Sequence, residues 1–101
     1  MIVAVGENGV RLQDAEDVKG FHVAVRDGAH ADAELRGSGA GWVAVDGDAR
    51  IAVDWVRGAA VAAGVGSTWT YSFAGMLDHA RDKGWLDAEG TVIRAHVEHV
   101  S

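Results

Sequence analysis

Apolar and polar residues alternate near both ends of the chain, and the period lengthens to that of a helix in the stretch after Asp54. IVAV-GENG-VRLQ places alternating apolar residues on both sides of Asn8-Gly9, a pair that tolerates the positive φ of a tight hairpin turn. Asp14 to Val18 suits one helical turn capped by Asp14. FHVAVR sets Phe21, Val23 and Val25 against His22, Ala24 and Arg26, the pattern of a half-buried strand. Residues 29–36, AHADAELR, favour a short helix stopped by Gly37, and GSGAG at 37–41 is a joint too short to separate domains. WVAV-DGD-ARIAV repeats the hairpin signal with Asp46-Gly47 in the turn, although a helix starting at Asp48 would also fit. VAV recurs at 3–5, 23–25 and 43–45, which a chain this rich in Val and Ala produces without an internal repeat.

Two helices follow. DWVRGAAVAA, about 54–63, is apolar nearly all round, so one layer of neighbours is too little to cover it. TWTYSFAGMLDHARDK, about 68–83, lines up Trp69, Phe73, Met76, Leu77 and Ala80 as a single stripe. Ser67 suits its start, Lys83 its negative end and Gly84 the left-handed closing position, with Trp85 folding back towards Ala80. TVIRAHVEHV ends the chain as a strand with Ile93, Ala95 and Val97 inward and Arg94, His96 and Glu98 outward. The expected architecture is one domain over residues 1–101. Its class is α+β: a largely antiparallel sheet of about five strands, two hairpins plus the C-terminal strand, with two main helices on one side.

Composition narrows what such a domain does. The 101 residues are 49% hydrophobic and 24% charged, a globular balance, and no apolar run is long enough for a membrane span. The N-terminus shows no secretory signal and the chain has no Cys, so a cytoplasmic protein without disulfide or thiolate chemistry is expected. Fifteen acids against nine scattered bases give a net charge of −6, which disfavours nucleic acid as a partner. Protonating all five His would bring the charge to −1, so solubility should fall through the ordinary His range. The wealth of Ala, Gly, Val, Asp and Arg, all with GC-rich codons, suggests a bacterial source.

Four constellations carry candidate chemistry. AAGVGSTW offers Gly66, Ser67 and Thr68 as an anion cradle at a helix start. It lacks the Lys of a triphosphate loop and the preceding strand of a dinucleotide site, and a plain interhelical joint explains every residue. HVEH at 96–99 invites a metal reading, yet on a strand only His96 and Glu98 point the same way; an exposed ladder pairing Arg94 or His96 with an acid across strands is the simpler account, and no metal or cofactor is expected. Ser72 and His79 lie seven positions apart, about 10.5 Å along a helix, too far for proton transfer. Gly58 and Ala62 form a small-xxx-small pair; either they and Gly75 mark where the two helices cross, or with Trp55 they form a subunit interface.

No catalytic residue stands out. The reading these features favour is a small accessory or interaction module without catalysis, acting as a homodimer and open to other protein partners. The alternative is a small-molecule-binding protein or enzyme with a pocket between sheet and helices, where His22, Tyr71, Asp78, His79 and His96 are the polar candidates.

Overall fold

A computed structural model describes residues 1–100. In chain order the elements are β1 (Ile2–Gly6), β2 (Gly9–Gln13), β3 (His22–Arg26), α1 (Ala31–Ser38), β4 (Gly41–Val43), β5 (Ala49–Ala52), α2 (Val53–Ala62), α3 (Trp69–Asp82) and β6 (Val92–Val100). The six strands make one curled sheet in the order β2-β1-β3-β6-β5-β4.

Both hairpins form where the turn residues call for them. In the first, Gly6 pairs with Gly9, so the loop is Glu7-Asn8, one position earlier than expected. In the second, Ala44 donates to the Asp48 carbonyl at 2.9 Å and the Asp46 carboxylate accepts from the Asp48 N–H at 2.9 Å, closing the loop around Gly47. Residues 14–17 make a hydrogen-bonded turn that does not go on into a helix: Asp14 has a left-handed φ of 52° and its carbonyl accepts from Asp17.

The α+β class holds, but three details of the expected architecture need correction. The sheet has six strands, because FHVAVR supplies β3 at its centre. It is mixed: β3 runs parallel to β1 on one side and to β6 on the other, while β1–β2, β4–β5 and β5–β6 are antiparallel. Turn chemistry reveals only strands that are neighbours in sequence, and both parallel pairings join strands separated by other elements. There are three helices, since α1 is a full structural member; its Leu35 is completely buried, and it packs against β4 as well as β1 and β2. Contacting both edge strands of the sheet, α1 spans the gap between β2 and β4 and turns Leu35 inward.

Period 2 decides which strand residues go inside. Val3, Val5, Val23, Val25, Ile51, Ile93 and Ala95 face the helices and are buried. They meet Val53 and Val56 of α2 and Trp69, Phe73, Leu77 and Ala80 of α3 in a single cluster. Trp69 stacks on Phe73 with centroids 4.7 Å apart, and its indole N–H donates to the Ala15 carbonyl at 2.6 Å, which satisfies the one polar atom this ring brings inside. The first two VAV triplets lie side by side in register, Val3 beside Val23 and Val5 beside Val25, whereas the third runs off the end of β4. Of two neighbouring triplets and one distant, no repeat is made.

The outer face of the sheet carries no helix. It displays Arg11, Ala4, Ala24 and Glu98 in one row, and Trp42, Arg50 and Arg94 in another.

Two glycines separate strain from mere loss of helix propensity. Gly41 has φ +156°, and a Cβ there would stand 1.8 Å from the Arg50 carbonyl oxygen, backbone that cannot step aside. Gly58 is helical, and a Cβ there meets nothing within 4 Å. Gly41→Ala is therefore expected to cost about 3 kcal/mol or more, while Gly58→Ala gains about 1 kcal/mol or less. Urea unfolding of both variants at low protein concentration measures the pair.

Candidate functional site

The apolar stripe of α3 ends in a Schellman closure. Gly84 takes φ +78°, its N–H donates to the Arg81 carbonyl, and the Trp85 N–H donates to Ala80 at 2.8 Å. This cap turns the chain out of the helix and sends Trp85-Leu86-Asp87 back along the start of β6. Leu86 bridges Ile93, and the Arg94 N–H donates to the Trp85 carbonyl at 2.7 Å. Asp87 fixes the intervening turn: its carboxylate accepts from the Thr91 hydroxyl at 2.7 Å, the Thr91 N–H at 2.6 Å and the Val92 N–H at 3.1 Å. Those bonds, the Thr91 hydroxyl foremost, hold the Asp87 carboxyl below the usual carboxylate range.

Trp85 consequently stands between two larger hollows and borders a smaller third. One is a cleft of about 490 Å³ between the 18–21 loop, α3 and the start of β6. Val18, Phe21, Met76 and Ile93 give it an apolar lining, Trp85 closes one wall, and His79 packs edge-on to that indole at 5.8 Å. Lys19 and Arg94 stand at its border. The other is an open groove of about 350 Å³ on the outer sheet face between Trp42 and Trp85.

An ion network supports this end of the outer face. Arg94 donates to Asp48 at 2.8 Å and lies 3.8 Å from Asp46, Arg50 donates to Asp46 at 2.7 Å, and His96 stands 3.9 Å from Asp48. Arg94 thus meets its acids from the β4–β5 turn and not from a neighbouring strand. Asp46 titrates below its ordinary range, first because Arg50 donates to it and then because of the Asp48 N–H; Arg94 is raised above its ordinary value by Asp48.

The structure distributes the residues singled out from the sequence as follows. His79 lines the cleft, and His96 borders the adjoining hollow with Phe21, Trp85 and Arg94. His22 is beside His96 in register but engages Glu98 at 3.3 Å and the Gly20 carbonyl at 2.7 Å. Asp78 pairs with Arg81 at 3.4 Å, and Tyr71 is 82% exposed, away from both hollows. Gly66, Ser67 and Thr68 do precede α3, but the Gly66 N–H donates to the Glu16 carboxylate at 2.9 Å, so the chain's own acid occupies that donor. No Ser67 or Thr68 side chain caps the helix. Gly58 and Gly75 both face open space and so do not mark a helix crossing, and Gly58 and Ala62 are exposed while Trp55 packs partly on the core. Among the described residues no three His, Cys, Asp or Glu side chains come together as metal ligands.

Sequence pattern does not group Phe21, Met76, Trp85 and Arg94: it gives Phe21 and Met76 an apolar face, Arg94 an outward face with an acid for a partner, and Trp85 a helix-closing place. The cap at Gly84 was the available signal, because it fixes where the next side chain goes.

No known protein family, curated protein or solved structure matches the chain. Among the described residues no helix is long and apolar enough to cross a membrane.

A carboxyl with a depressed titration contributes stability that is complete above its ordinary value of 3.8 and is lost as pH falls from there through the folded value. Replacing Asp87 with Asn removes that ionisation. Between about pH 6 and about pH 2 the urea midpoint of Asp87→Asn should fall less steeply than that of the parent. Parallel curves would deny the turn its acid sensitivity.

Proposed function

We propose that this chain is a ligand-binding module whose site is the cleft beside Trp85. The observation that carries the reading is the pairing of an apolar lining with few polar groups in a volume of about 490 Å³, within the range of about 300–1,000 Å³ usual for small-ligand sites. The cleft's wall is the flat indole of Trp85, and its border carries the Lys19 ammonium, so an apolar, partly planar molecule with an acidic group has the matching chemistry. His22, Asp78 and His96 each face a partner on the surface, which favours holding a ligand over transforming it. Without Cys, the module is suited to the cytoplasm.

The test uses anilinonaphthalene sulfonate, an apolar dye with one negative charge. Titrated into the native protein, it should bind at one saturable site with a dissociation constant of about 10⁻⁵ M and take energy from Trp85. Met76→Glu, which puts a like charge in the cleft at a half-buried position, should weaken it about tenfold or more while the protein stays folded. Dye binding that ignores Met76→Glu, or no binding at all, would remove the reading. With the site established, a thermal-shift screen of carboxylate metabolites identifies the natural class, since a ligand of the native state raises Tm.

A second reading has an observation of its own. Val61 is 74% exposed beside Gly58 and Ala62, on a helix where Gly58 lowers stability without packing against anything in its own chain. We read this face of α2, with Trp55 at its edge, as the contact of a homodimer. Light scattering on a sizing column should give twice 10.6 kDa at high micromolar concentration, and Gly58→Arg should return the single-chain mass. A monomer throughout sinks the dimer and leaves the cleft untouched.

A further inference from the structure

Across the outer face the chain sets four side chains in one line. Trp42 pairs with Arg50, Arg50 pairs with Arg94, and Arg94 pairs through its backbone with Trp85. In-register neighbours in a sheet share a face, so the line reads indole, guanidinium, guanidinium, indole. Both indoles are accessible, Trp42 at 37% and Trp85 at 43%, and both border the open groove whose floor holds Arg50 and Arg94. Three strand spacings place the ends of the line about 14 Å apart, room for roughly three pyranose rings laid across the strands.

The charged groups in the groove are Arg50, Arg94 and Asp87. Each guanidinium is held by an acid outside the groove, Arg50 by Asp46 at 2.7 Å and Arg94 by Asp48 at 2.8 Å. A polyanion gains little there, because both guanidiniums are already paired and the chain carries −6. Proline-rich peptide suits aromatic grooves, but its rings bring no N–H donors, so they would strip water from Asp87 and give nothing back. A polyhydroxylated ligand does both tasks: ring C–H faces lie on the indoles, and hydroxyls donate to the Asp87 carboxylate while accepting from the guanidiniums.

We propose that the groove between Trp42 and Trp85 binds a neutral oligosaccharide. This site is separate from the cleft on the helix side of Trp85 and does not rest on the reading of that cleft. Trp42 belongs to the groove alone and Met76 to the cleft alone.

The experiment follows the indole N–H signals of ¹⁵N-labelled protein during titration with cellohexaose, chitohexaose and maltohexaose, each to about 10 mM, the weak end of specific affinity. At least one sugar should shift the Trp42 and Trp85 signals saturably and leave Trp69 in place. Trp42→Ala should weaken that sugar about tenfold or more, and Met76→Glu should leave it within about twofold. Arg50→Gln, which keeps both indoles and removes the floor donor, reads the same expectation should Trp42→Ala not fold. No shift with any of the three sugars overturns the proposal. So does a saturable shift of the same two signals by decaproline without a response to sugar, which would make the groove a peptide site.

Discussion

Val23 and Val25 of β3 are buried because strands run parallel on both sides of them and helices cover the face they point to. Every other arrangement in the molecule follows from keeping that face dry. A strand has two faces and this sheet covers only one with helices, so the outward half of each strand is left without a covering layer. Bringing α1 against both edge strands, with Leu35 turned inward, helps a short chain close the dry side. The consequence for function is geometric. The outer face is bare sheet, and its chemistry is whatever the outward positions of neighbouring strands happen to align.

Loops in this protein are held mainly by carboxylates accepting backbone N–H groups. Asp87 binds the turn before β6, Asp46 the turn between β4 and β5, and Asp32 of α1 accepts from the Val43 N–H at 2.8 Å, tying helix to edge strand. Glu16 does the same for the joint before α3. An acidic chain thus uses its own anions at the places where helix starts and turns leave donors exposed, which is why the glycine joint offers an incoming phosphate little. Asp32 and Asp46 share with Asp87 a titration below the ordinary range, because hydrogen-bond donors favour the charged form: the Val43 N–H and Arg36 for Asp32, Arg50 and the Asp48 N–H for Asp46, the Thr91 hydroxyl and Val92 N–H for Asp87.

Trp85 connects the helix cap to both proposed sites. A left-handed glycine after α3 determines the direction of the chain, a short antiparallel pairing with β6 determines the height of the indole, and the ring ends between the apolar cleft and the open groove. It is 43% exposed, like Trp42 at 37%, whereas Trp69 and Phe73 are hidden in the core.

The sequence by itself determined the local order. Period 2 marked the strands and their inward faces, period 3.6 marked α3 and its buried stripe, and turn residues marked both hairpins and the Gly84 cap, because each of these is set by neighbours a few residues apart. It placed Arg94 and His96 outward with an acid for one of them, and Arg94 does meet Asp48, though from the β4–β5 turn and not from a strand. The tertiary structure alone decided that β3 sits between β1 and β6, that the pairings there are parallel, and that residues 42, 50, 94 and 85 form one line. Those outcomes depend on which strands meet after long excursions of the chain. Loop-closure entropy varies only slowly with length, so local pattern leaves such meetings open, and the burial of one whole face of the sheet selects among them.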